Sequence, residues 1–155
     1  MDCSFAPIMS ASSMIAKPRE SYRAYRISPG DTNRLVLVFD PIGEQAGFVF
    51  AIEIFDVGGR TPPNVHARAQ EMFYVLAGEG VAHAGGRSVP FRRGDSLLLP
   101  PGTMHQIENT GASRLYCMTV MVPNEDFAEL IRSGEPAALD AEDWAVLLGR
   151  AASGR

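Results

Sequence analysis

Cysteine and histidine are scarce in this chain. Its 155 residues hold two cysteines, Cys3 and Cys117, and three histidines, His66, His83 and His105. Two thiols exclude a Cys-rich zinc site and a disulfide framework, and their scarcity fits a reducing compartment. A metal site must therefore draw on imidazoles and carboxylates. Positive charge is also short: 14 Lys plus Arg against 18 Asp plus Glu leave a formal charge of −4. That balance argues against binding nucleic acid or an anionic membrane. The longest apolar run, residues 47–55, contains Glu53 and is too short to cross a bilayer. The opening MDCSFAPIMSASSMIAKP, broken by prolines and serines, lacks the pattern of a secretory leader. These absences predict a cytoplasmic chain, a flexible segment at residues 1–20, and one domain.

Short strands fill the middle. RLVLVF (34–39), residues 48–55, MFYVLA (72–77), VAHA (81–84), SLLL (96–99), residues 105–108 and RLYCMTVMV (114–122) are bounded by Gly, Pro and polar residues. Gly85-Gly86 after VAHA suits the positive φ of a hairpin turn. Regular spacing of this kind predicts an all-β barrel or sandwich. After residue 123 the pattern becomes helical. Asn124 is a cap for a helix bearing Phe127, Leu130 and Ile131, stopped by Gly134. Asp140 and Asp143 open a second helix carrying Trp144, Leu147, Leu148 and Ala151. Both are too small to bury themselves and must dock on the β unit or on a second subunit.

Two segments carry chemistry. The first runs Gly58, five residues, Asn64, one, His66, four, Glu71, six, Gly78; the second runs Gly94, five, Pro100, one, Gly102, two, His105, three, Asn109. These spacings resemble the two motifs of the cupin superfamily, with one departure: Asn64 stands where the family has its first histidine. The resemblance implies a double-stranded β-helix (a jelly-roll barrel) over residues 21–123, with the two short helices in a C-terminal segment, 124–155. It also implies one divalent metal ion per chain, with Asn64, His66, Glu71 and His105 as the ligand positions. Strand parity puts Asn64 and His66 on one face, and a closed barrel would bring Glu71 and His105 to them. Nitrogen and oxygen donors without thiolate suit Fe(II), Mn(II), Ni(II) or Zn(II). A carboxamide in place of an imidazole weakens the site or leaves it open for a bidentate substrate, with Fe(II) favoured.

Parity extended from these motifs places Phe73, Val75, Leu97, Leu99 and Ile107 around an apolar pocket for a small organic substrate with an apolar body. Resemblance to cupin dioxygenases favours oxygen-dependent chemistry. The alternatives are a metal-dependent isomerase, lyase or decarboxylase, with Glu71 as a proton carrier, and a non-catalytic small-molecule binder. His83 reads as an edge residue, Cys117 as a small hydrophobe, Arg60 and Arg68 as solvated, and Tyr74 and Tyr116 as packing residues. Glu53 must face water, the cavity or a partner. Strand 48–55 is apolar on both faces, so one face needs cover from terminal segments or a second copy, and a homodimer is expected.

Overall fold

Alternation of apolar and polar residues sets the architecture of this all-β chain. The computed structural model describes residues 13–150. Its strands are β1 (Arg23–Arg26), β2 (Asn33–Phe39), β3 (Val49–Phe55), β4 (Gln70–Ala77), β5 (Glu79–Ala84), β6 (Arg87–Arg92), β7 (Ser96–Leu99), β8 (His105–Asn109), β9 (Leu115–Val122) and β10 (Glu135–Ala137). Its α-helices are α1 (Pro41–Glu44), α2 (Phe127–Arg132) and α3 (Ala141–Leu147). Antiparallel pairing orders one sheet β10-β1-β2-β3-β9-β4-β7 and a second β6-β5-β8. In β4, Glu71, Phe73 and Val75 point inward while Gln70, Met72 and Tyr74 point out. Phe55, Phe73, Val75 and Leu115 of the long sheet meet Ala82, Phe91 and Ile107 of the short one, which makes the structure the jelly-roll type that the motifs imply. Every strand read from the sequence is present within two residues. None of the described helices is long and apolar enough to cross a membrane.

Three glycines at two sites are required by geometry. Gly85 and Gly86 take φ of 55° and 76° in the β5–β6 hairpin. Gly78 has φ 85°, and a Cβ there would stand 2.6 Å from the Arg114 carbonyl oxygen.

The C-terminal segment does more than dock helices. Between α2 and α3 it supplies β10, which pairs with β1 and forms one end of the long sheet. Asn124 Oδ1 accepts from the Ala128 amide at the start of α2, and Asp140 with Asp143 forms a capping box on α3. Leu139, Val146 and Leu147 pack over Val36, Val38, Ile52 and Ile54. The outer face of β3 is thus covered by the terminal segment of the same chain, the first of the two covers its apolar faces predict. Ala151, expected on the α3 face, lies outside the described residues, as do residues 1–12 of the N-terminal segment.

Candidate metal centre

Three elements converge at one end of the barrel. Glu71 projects inward from β4, and His105 opens β8 after the Pro100–Gly102 turn. Asn64 and His66 lie outside any strand, because Pro62 and Pro63 lack the amide hydrogens a ladder needs. Asn64 is instead fixed by an isolated bridge to His105: each amide donates to the other's carbonyl at 2.9 Å. The His66 carbonyl accepts from the Gly102 amide at 2.7 Å, tying the two motifs together a second time.

His66 Nε2 lies 3.2 Å and His105 Nε2 3.0 Å from Glu71 Oε2. One donor atom from each of the three lies within 4.8 Å of the others. His105 Nδ1–H donates to the Thr103 carbonyl at 2.9 Å, which leaves Nε2 as the ring nitrogen turned toward Glu71. Glu71 Oε1 accepts from the Thr119 hydroxyl at 3.3 Å, so its Oε2 is the oxygen presented to the histidines. Asn64 Nδ2–H donates to the Pro62 carbonyl at 3.2 Å, and its buried Oδ1 has no partner among the described residues. Asn64 lines the same cavity as the three, and a carboxamide oxygen with two imidazoles and a carboxylate is the donor set a hard or borderline divalent ion takes.

Burial pushes the Glu71 carboxyl up, yet hydrogen bonds from His105 and His66 outweigh it and hold it below the usual carboxylate range. Burial likewise opposes charge on His105. The Glu71 carboxylate and the Thr103 carbonyl overcome it and hold that imidazole above its ordinary value.

The cluster opens on a cavity of about 180 Å³. Phe73 and Ile107 line it, as parity predicts, whereas Val75, Leu97 and Leu99 pack in the core away from it. The sequence reading missed Leu35 of β2 and Phe127 and Leu130 of α2, which complete the apolar wall. It also missed Asn33 and Thr61. Glu53 faces this cavity, so its wall is more polar than expected.

The remaining candidates lie elsewhere. Arg60 reaches Glu108 at 3.6 Å and Arg68 reaches Glu125 at 3.5 Å; neither lines the cavity. Tyr74 sits on the outer face, and Tyr116 is buried with its hydroxyl on Asp143. Cys117 is buried, and burial pushes its thiol up. His83 is held on an exposed sheet face between Ser88 Oγ at 2.8 Å and Glu108 Oε2 at 3.2 Å.

Residues 51–121 match the model of the Cupin domain family, and both sequence motifs fall inside that span. This chain carries a cupin domain. The cupin barrel is similar to the crystal structure of a predicted oxalate decarboxylase from Thermotoga maritima. The TM-score is 0.61 at 25% identity over 70% of this chain and 99% of that one. KdgF from Halomonas sp. shares the cupin fold at TM-score 0.63 and 18% identity, over 75% and 99% of the two chains. In sequence, the Oxalate-binding protein of Thermotoga maritima is 40% identical over 57 residues, 37% of this chain and 47% of that protein. The chain spans about half the length of the curated relatives it matches.

Proposed function

We propose that this cupin domain binds one divalent metal ion through His66, Glu71 and His105, with Asn64 Oδ1 as a fourth donor, and acts on a small organic acid there. The observation that carries this reading is the convergence of three donor atoms within 4.8 Å in a cavity also lined by Asn64, whose buried Oδ1 is unpaired among the described residues. Thr103 and Thr119 orient His105 and Glu71 and so pre-form the donor set. A bound metal supplies Lewis acidity and open coordination positions for an oxygen-chelating substrate, and, as Fe(II), for dioxygen. Leu35, Phe73, Ile107 and Phe127 exclude water from the substrate body. The cavity is below the ~300 Å³ lower end of drug-sized pockets, which limits the substrate to a few carbon atoms.

Dioxygenase-type oxidation is the first reading. Binding or non-redox decarboxylation of a small dicarboxylate is the second, favoured by similarity to a protein named for oxalate binding. Scarce cysteine suits action in the cytoplasm. A second copy of the chain would cover Met72, Tyr74, Leu98 and Val122, which stand exposed on the outer face of β4, β7 and β9.

Anaerobic purification with Fe(II), metal analysis and an oxygen electrode test the proposal. Stoichiometric metal and oxygen uptake with a 2-oxo acid, diketone or catechol are expected. Carbon dioxide release from oxalate without oxygen uptake establishes the second reading, and a chain that takes up no divalent metal overturns both. A light-scattering mass of one chain removes the dimer.

A further inference from the structure

The same cavity holds a second polar pair on neighbouring strands, Asn33 of β2 and Glu53 of β3. Both are more than nine-tenths buried. Asn33 Nδ2–H donates to Glu53 Oε1 at 2.5 Å, and among the described residues no other group hydrogen-bonds the Glu53 carboxyl. Asn33 Oδ1 is buried without a partner among the described residues. No described cation pairs with Glu53. The titratable groups around it are the Glu71 carboxylate on β4, the Asp31 carboxylate ahead of β2, and the Cys117 thiol opposite it on β9. Burial first, then Glu71, push the Glu53 carboxyl up to about 8, against the pull of the Asn33 amide. At neutral pH it is a carboxylic acid, with an O–H to give.

A pair serving packing alone would be costly here. A buried acceptor left unsatisfied is destabilising, and leucine at either position would fill the space without that penalty. The open donor and the open acceptor instead complement one group: a hydroxyl, whose oxygen accepts from Glu53 and whose hydrogen goes to Asn33 Oδ1. A carboxylate would meet the Asn33 oxygen and the negative charge of Asp31 and Glu71; a hydrocarbon would leave both groups unpaired.

We propose that Asn33 and Glu53 form a second subsite that holds a hydroxyl group of the substrate whose acid end lies at His66, Glu71 and His105. The substrate class is then a small hydroxylated organic acid. This rests on the reading of the metal centre given above.

The test is calorimetric titration of Mn(II)-loaded protein with two acids that share a chelating end: 2-oxobutanoate, and 4-hydroxy-2-oxobutanoate, which adds a distal hydroxyl. The hydroxylated acid is expected to bind about tenfold more tightly, equivalent to ~1.4 kcal/mol. In Glu53→Leu and in Asn33→Leu that ratio falls to about one. Equal affinities in the wild type, or a ratio that survives both substitutions, overturn the subsite alone. Failure to take up Mn(II), or to bind either acid, overturns the reading of the centre itself. Infrared spectroscopy gives a readout that needs no folded leucine variant. The protonated carboxyl band, assigned by its absence from Glu53→Gln, shifts with the hydroxylated acid and not with 2-oxobutanoate, and an unshifted band overturns the subsite.

Discussion

Adjacent residues of β2 serve two opposite kinds of polar cluster. Asn33 points into the barrel and Arg34 points out, beneath α3. On the outer side Asp143 accepts from Arg34 at 2.8 and 3.0 Å, from Arg114 at 3.1 Å and from the Tyr116 hydroxyl at 3.0 Å, while Arg34 also reaches the Ala138 carbonyl. Charge there is matched within the chain, and among the described residues only Arg34 Nε of this cluster lacks a partner. On the inner side three acidic side chains, the carboxylates Glu71 and Asp31 and the neutral Glu53, line a cavity with no described lysine or arginine, and two amide oxygens stand open among the described residues. A cluster that closes on itself holds elements together; a cluster with open acceptors and surplus negative charge is built for something it does not itself contain.

The largest break in this contrast is Asp143→Ala. It leaves Arg34 buried without its counter-charge and frees α3, and should cost about 3–5 kcal/mol in urea unfolding. An inner substitution should do the reverse at high pH. Glu53 ionises near 4.5 in the unfolded chain but only near 8 in the folded one. Metal-free wild type must therefore lose stability relative to Glu53→Gln as pH rises between those values, by a few kcal/mol, and the gap should level off above about 8. A gap that does not widen with pH would place Glu53 in contact with water. Next comes His105→Ala, expected to weaken metal retention at least ~100-fold, near 2.7 kcal/mol, in a chelator competition; unaltered metal content would remove His105 from the donor set. Asn64→His should tighten retention about tenfold in the same assay. The smallest effect belongs to His83→Ala on the exposed face: within about 0.5 kcal/mol of wild-type stability, with metal content unchanged.

Much of this was legible in the sequence because the two motifs fix residues by turns and by parity, and both are local. Gly58 to Gly78 and Gly94 to Asn109 brought out Glu71 and His105 and left Asn64 as the departure. What parity gives is a face, not a depth: Val75, Leu97 and Leu99 lie on inward-facing strands but beyond the cavity, in the packed part of the core. β2 reads as apolar on both faces, so nothing in its pattern says whether Asn33 and Leu35 or Arg34 and Val36 turn inward. Glu53 was conspicuous within an apolar run, but its surroundings come from β2 and β9. Phe127 and Leu130 reach the cavity through the docking of α2, which no local period encodes.

β10 has a consequence for how the molecule is made. Three residues, Glu135–Ala137, hydrogen-bond β1, and Asp143 binds Arg34 from 109 positions away. During synthesis both cupin motifs leave the ribosome while the β1 edge is still bare, a template for pairing with any other nascent chain. Full closure waits for the segment beyond Gly134. A polypeptide cut there should carry every proposed ligand and still be lost to aggregates.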